Sequence, residues 1–256
     1  MRGLRGRIFV VAGAAGGIGA ASARRLAAEG ASVVVGDIDA AGAEGTAERI
    51  VSEGGTAIAV QYDQGDEASV AALIARAVNH FGALDGLHTN AADLRAEVFG
   101  RDVDLLNMDV GVWERTMRVN LIGYATLVRA AVPHLLARGG GAIVCTSTTG
   151  GAPPIGRSTP VAYSASKAGV NALCRHVASR WGQEGVRCNV VAPGVVLTEA
   201  ARRVMDPELI EDLQAATRST RLGAPEDIAA SVAFLLSDDG AWVNGQVWGV
   251  NGGVAL

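Results

Sequence analysis

Short apolar runs rich in Val and Ile alternate along this chain with longer, Ala-rich stretches whose apolar residues recur at helical spacing. Runs of the first kind lie near 8–12, 32–36, 56–61, 84–89, 142–147, 187–192 and 245–249. Their length and their lack of polar alternation predict strands buried on both faces. The intervening stretches near 17–29, 40–53, 67–81, 110–138, 161–183 and 225–237 are predicted to be helices, several ending at a glycine such as Gly30, Gly54 or Gly82. Alternation of this kind is the pattern of repeated βαβ units, whose right-handed crossovers put helices on both sides of a parallel sheet. The expectation is a single doubly wound Rossmann-type α/β domain over residues 1–256, with a seven-stranded parallel sheet and no linker or repeat. Two segments break the alternation, 93–109 and 195–224. Both follow strand C-termini, where ligands of open α/β sheets bind, so they are candidate walls of a substrate site, with 195–224 as its lid.

Composition narrows the chemistry. Hydrophobic residues make up 49% and aromatics 4%, so the core is built from Ala, Val, Leu and Ile. A net charge of -4 leaves no basic face for nucleic acid or an anionic membrane surface. Cys145, Cys174 and Cys188 have no CxxC spacing, which points away from a disulfide framework or zinc knuckle and toward a reducing cytoplasm. His80, His88, His134 and His176 are scattered, so no metal is expected, and Trp113, Trp181, Trp242 and Trp248 read as packing residues. Arg2, Arg5 and Arg7 before an uncharged run imitate a secretory signal, but Gly13, Gly16, Gly17 and Gly19 break that run into a strand and a turn. No other window approaches a membrane span.

The first strand runs into Ala12-Gly13-Ala14-Ala15-Gly16-Gly17-Ile18-Gly19 and then a helix. Glycines let the backbone approach a pyrophosphate, and the amides of the helix N-terminus stabilise its charge. Gly13, Gly17 and Gly19 form GxxxGxG, and a tight strand-to-helix turn is the competing reading of such a trio. The second strand ends at Asp37, eighteen residues beyond Gly19, where a carboxylate accepts both hydroxyls of an adenosine ribose and repels a 2′-phosphate. No Arg or Lys follows to rescue NADP, so NAD(H) is the expected cofactor. Asp63 and Asn90, near the ends of the third and fourth strands, sit where adenine and ribose would lie, or cap local turns.

Tyr163 and Lys167, four residues apart, share one helix face. A tyrosine working near pH 7 needs its pKa lowered by about three units, roughly 4 kcal/mol. An adjacent ammonium and a positively charged nicotinamide each supply about one to three units. Thr148 and Thr149 put hydroxyls at the mouth of the sheet beside that helix.

These motifs together resemble the short-chain dehydrogenase/reductase family over essentially the whole chain: the glycine turn, Asn90-Ala91-Ala92, Asn120, the hydroxyl strand, the YSASK helix and 189–194 occur in the family's order. The resemblance implies that Tyr163 is the acid/base and that Lys167 binds the nicotinamide ribose and lowers the tyrosine pKa. It implies a proton relay supported by Asn120, and a nicotinamide end held by Pro193, Gly194, Val196 and Thr198, with Ile18 beside the glycine turn. It also implies a homotetramer. The chain departs from the family at Ala12, where threonine is usual, at Ala92, where glycine is usual, and at Thr148, where a catalytic serine is expected, with Ser147 one place earlier as the alternative. Bulky apolar residues in both excursions, among them Phe99, Leu105, Met205, Leu209 and Ile210, point to an apolar substrate or else face the core or another subunit, and Pro153, Pro154 and Ile155 are expected to narrow the pocket. The expected activity is reversible oxidation of a secondary or ring alcohol to a ketone. The alternatives are an NADPH-dependent 3-oxoacyl thioester reductase and a non-catalytic dinucleotide-binding protein.

Overall fold

The computed structural model of the chain describes residues 1–149 and 160–254. Seven parallel strands form one sheet: β1 (Ile8–Ala12), β2 (Ser32–Asp37), β3 (Thr56–Gln61), β4 (Gly86–Thr89), β5 (Gly141–Thr146), β6 (Val186–Pro193) and β7 (Val247–Val250). Their order is β3-β2-β1-β4-β5-β6-β7, and the sheet is the seven-stranded, doubly wound parallel one that the alternation predicts. The chain winds outward from β1 in both directions, so Val10 pairs with Val34 of β2 on one side and Leu87 of β4 on the other. Loops leaving β1 and β4 diverge at this reversal, and a crevice opens at the strand C-termini.

Alternate strand residues feed two cores. Phe9, Val11, Val33, Val35 and Val144 pack under helices α1 (Gly17–Ala28), α2 (Ala40–Ser52) and α9 (Pro225–Leu236). Val10, Val34, Leu87, Ile143 and Val190 pack under α3 (Glu67–Phe81), α5 (Gly123–Ala137) and α6 (Val161–Trp181). Each buried Val, Leu or Ile contributes about 1.5–3 kcal/mol relative to exposure, so a strand that is apolar on both faces holds both layers.

Three expectations change. The predicted helix over 110–138 is two helices, α4 (Val110–Met117) and α5, joined by one π-helical turn at Arg118–Ile122. The extra residue in that turn has no signature in apolar spacing, and it carries Asn120. The continuous run Val110–Ala137 is also long and apolar enough to cross a membrane, contrary to the sequence reading, but half of it is buried in this fold as a core element. Finally, Trp242 is fully exposed and Trp248 is 41% exposed. Trp242 is therefore not the packing residue expected, whereas Trp248, on the edge strand β7, packs edge-on against Phe234 with ring centroids 5.4 Å apart.

Candidate active site

The glycine turn is dictated by backbone contact. Gly13 has φ +85°, and a Cβ there would lie 2.5 Å from the backbone N and Cα of Ala91. A Cβ on Gly19 would lie 1.9 Å from the Gly13 carbonyl oxygen, so α1 meets the turn at a distance that only glycine allows. Gly16 precedes α1 with no side-chain cap, the first helical turn holds no acidic residue, and a Cβ on Gly16 would meet nothing within 4 Å. Uncapped amides facing open space fit a bound pyrophosphate.

A cleft of roughly 440 Å³ opens there, lined by Gly13, Gly17, Ile18, Asp37, Ile38, Asp63 and Asn90 together with Tyr163, Lys167 and Thr198. Asp37 ends β2, and its carboxylate accepts from the Ala15 amide (2.9 Å) and the Asp39 amide (3.1 Å). The glycine turn thus fixes the acid, which keeps lone pairs for a ribose. Asp63 accepts from the Gly65 amide at 2.7 Å. Asn90 is spent on structure: Nδ2 donates to the Gly13 carbonyl (2.9 Å), and Oδ1 accepts from Thr146 Oγ1 (3.1 Å).

Tyr163 and Lys167 lie one turn apart on α6 and both face the cleft. The start of α6 has no cap of its own. Asp102, buried in the 93–109 excursion, supplies one, accepting from the Ala162 amide (3.1 Å) and the Tyr163 amide (2.8 Å). Phe99, from the same excursion, stands edge-on to the Tyr163 ring at 5.3 Å. The Lys167 amine is 1% exposed and donates to Tyr124 Oη (3.0 Å) and the Thr146 carbonyl (2.9 Å).

Burial pushes Lys167 down to about 7 and Tyr163 up to about 12. The lowered tyrosine pKa expected from the sequence is therefore absent in the protein alone, because desolvation disfavours both charged forms.

The hydroxyl candidates separate. Ser147 is buried, and its Oγ donates to the Lys167 backbone carbonyl (3.1 Å), so its hydroxyl is committed to holding α6 against β5. Thr148 is half-buried and makes no side-chain hydrogen bond among the described residues, though it does not line the cleft. Asn120 is fully buried in the π turn. Its Oδ1 accepts from the Asp93 amide (3.0 Å), and its Nδ2 has no partner among the described residues.

From 195–224 the cleft takes only Thr198 and Ala200, in the stretch that leads into α7 (Glu199–Val204) and α8 (Pro207–Ala216). Thr198 Oγ1 caps α7 by accepting from the Ala201 amide (3.1 Å). Pro193, Gly194 and Val196 stand outside the lining. Pro193 ends β6, the Gly194 amide donates to the Val250 carbonyl (3.2 Å), and Val196 bridges to Gly223, so these residues bind the sheet edge to the excursion. Pro153, Pro154 and Ile155 lie outside the described residues.

Sequence reasoning missed several residues. Asp102 and Tyr124 meet α6 from about 60 and 40 positions away, respectively, and no local pattern records such contacts. A third is Asp93, whose buried carboxylate binds Arg95 through two contacts (2.8 and 2.6 Å) and Arg115 Nε (2.9 Å) at the cleft wall. The Asp93–Arg95 spacing was a local signal that went unread.

A nucleotide-sized crevice over a glycine turn, with a tyrosine and a lysine on one helix face, defines the protein as a Rossmann-type dinucleotide-binding oxidoreductase. The family model described as enoyl-(acyl carrier protein) reductase matches residues 13–255. A probable short-chain type dehydrogenase/reductase of Bradyrhizobium diazoefficiens is 41% identical, over 97% of this chain and 87% of that protein. Cis-4-hydroxycyclohexanecarboxylate dehydrogenase of Sinomonas cyclohexanicum is 40% identical, over 96% of each. The solved structure of a 7α-hydroxysteroid dehydrogenase complexed with NADH and 7-oxo glycochenodeoxycholic acid superposes with a TM-score of 0.90 at 32% identity, covering 98% of this chain and 95% of that one. The chain belongs to the short-chain dehydrogenase/reductase family.

Two predictions follow from this geometry. Asp102→Ala removes both acceptors at the start of α6, so stability falls by about 1–2 kcal/mol in urea titrations and amide exchange at Tyr163 rises at least about tenfold. The guanidiniums of Arg95 and Arg115 hold Asp93 at about 2, below its ordinary 3.8. A depressed acid stabilises the fold above its unfolded pKa, and that contribution fades as pH falls from about 4 toward 2. Asp93→Asn is expected to cost about 1–2 kcal/mol at pH 7, allowing for screening of the exposed guanidiniums, and no more than about 0.5 kcal/mol near pH 2, where the acid is half protonated, as read by urea midpoints at the two pH values.

Proposed function

We propose that the protein reversibly oxidises a secondary alcohol, apolar or carried on a ring, to a ketone with NAD(H). The observation that carries this reading is the shared face of Tyr163 and Lys167, opening on the cleft that the glycine turn and Asp37 define. NAD⁺, when bound over the glycine turn, would supply the hydride acceptor for the carbinol carbon. Tyr163 Oη takes the hydroxyl proton, and Lys167, with one N–H uncommitted, holds the nicotinamide ribose and supplies positive charge beside the phenol. Thr148 donates to the substrate oxygen, and Asn120 orders the path by which the proton leaves. Asp37 accepts from the adenosine ribose, with Gly13, Gly17, Ile18, Gly19, Asp63 and Asn90 around that half. Thr198 serves the nicotinamide end from within the cleft, and Pro193, Gly194 and Val196 shape its backbone. The 195–224 segment is its lid.

Phe99 edge-on to Tyr163 and the exposed Leu94 give the reacting end an apolar wall. The names of the cyclohexanecarboxylate and 7α-hydroxysteroid relatives, both ring-alcohol dehydrogenases, support the substrate class, and the NADH in the second supports the cofactor. Asp37 opposes the 3-oxoacyl reductase reading with NADPH, and the paired Tyr163 and Lys167 oppose a non-catalytic role. The three cysteines, all buried and free, fit a reducing cytoplasm. The assembly we propose is a homotetramer. An apolar groove between α5 and α6 holds Val128, Val132, Leu173 and Trp181, and β7 exposes Trp248 at the sheet edge.

Fluorescence titration is expected to show NADH binding at least about tenfold tighter than NADPH, with tighter NADPH refuting the role of Asp37. Across a panel of ring and aliphatic alcohols, Tyr163→Phe is expected to lower kcat about 10²–10⁴-fold with the NADH Kd unchanged, and wild-type turnover in the variant would sink the mechanism. Light scattering is expected to give four subunits per particle; a stable monomer refutes the assembly.

A further inference from the structure

One lysine is present among the 22 basic residues of the chain, and it is Lys167. Every other positive side chain is an arginine, which stays charged at any working pH. The amine occupies the core without a carboxylate partner. Its hydrogen bonds run to Tyr124 Oη at 3.0 Å and to the Thr146 carbonyl at 2.9 Å. Tyr124 is itself fully buried on α5, two residues past the π turn, and its hydroxyl donates to that same Thr146 carbonyl at 3.2 Å. The three groups close a ring of hydrogen bonds, and Nζ also lies 4.5 Å from the Tyr124 ring centroid.

We propose that Tyr124 is the positioning residue for Lys167: its hydroxyl and the Thr146 carbonyl hold two of the three Nζ N–H bonds and leave the third aimed into the cleft. The proposal rests on the reading that Lys167 serves a bound dinucleotide. Without the phenol, an ammonium at this depth keeps one protein acceptor, and loss of an acceptor favours the neutral amine. The other titratable groups around the amine are Cys145 on β5, whose negative charge would raise the amine's pKa, His88 on β4 and Tyr163 on α6, and Tyr124→Phe leaves all three in place. Burial already brings the Lys167 pKa to about 7, so Tyr124 acts where its effect crosses neutral pH.

A sole lysine makes the test direct. Protein labelled with ¹³Cε-lysine gives one lysine signal, whose titration in the cofactor-free chain is the Lys167 pKa. Tyr124→Phe keeps the ring and removes the oxygen. Its Lys167 titration is expected about one unit below wild type, with NADH bound about three- to tenfold more weakly. Leu127→Val, a core change on the same helix, is expected to leave the titration in place. A Lys167 titration in Tyr124→Phe within about 0.2 unit of wild type overturns the proposal, as does an equal shift in Leu127→Val. Should the Phe variant fail to fold, Tyr124→Leu carries the same two outcomes. Failure of every alcohol in the substrate panel would refute the dehydrogenase reading and leave this titration interpretable.

Discussion

The cleft depends on one close approach: the Gly13 carbonyl against α1 at Gly19, and the Gly13 α-carbon against Ala91. No side chain fits in either gap, so β1, α1 and the segment after β4 meet at backbone distance. The Gly13 and Ala14 amides donate to the Gly36 carbonyl at 2.7 and 3.1 Å, which draws the end of β2 to the same point. Asp37 is therefore placed by the turn it borders, and its hydrogen bond from Ala15 completes the arrangement. A cofactor cradle built this way follows from how the backbone packs, and the charge on it comes from one side chain.

A buried polar chain joins that cradle to the reacting end. Asn90 Nδ2 donates to Gly13, Asn90 Oδ1 accepts from Thr146 Oγ1, and the Thr146 carbonyl accepts from Lys167. Since Thr146 Oγ1 donates to Asn90, it accepts from His88 Nε2 at 2.9 Å, which assigns the proton of His88 to Nε2 and leaves Nδ1 without a partner. Burial holds His88 neutral, with its pKa pushed down to about 3. A neutral imidazole here orders the threonine hydroxyl without adding positive charge near Lys167. The histidine read from sequence as structural is so in this particular sense: it fixes a rotor in the strand that supports the amine.

What could be read in the sequence was what is periodic or local. Seven strands, their β-branched runs, the glycine turn, Asp37 at the end of β2, and the one-turn spacing of Tyr163 and Lys167 all leave marks within a few residues of themselves. The single π turn at Arg118–Ile122 leaves none, because one extra residue hardly disturbs apolar spacing, and it is what moves Asn120 inward. Asp102 and Tyr124 were invisible for a different reason. Each looks like an ordinary residue of its own segment, and only the tertiary fold brings it to α6. In the chain by itself desolvation raises the Tyr163 pKa and lowers that of Lys167, an effect of burial that residue spacing does not record. Neither hydroxyl candidate lines the cleft: Ser147 Oγ donates to the Lys167 backbone carbonyl, and Thr148 stands one residue further along the loop.

The 93–109 excursion holds the start of α6 and the π turn together. Phe99 stands edge-on to the Tyr163 ring, and three residues later Asp102 caps the helix that carries Tyr163. At its other end, Asp93 donates its amide to Asn120 and binds two arginines through its carboxylate. One segment thus touches the tyrosine, the start of its helix and the π turn. Of its exposed apolar residues, Leu94 lines the cleft, while Val103, Leu105 and Leu106 lie outside the lining. The side chains that anchor the segment, Asp93 and Asp102, are thus distinct from the one that gives the cleft apolar surface, so a change at Leu94 alters the wall without breaking either anchor.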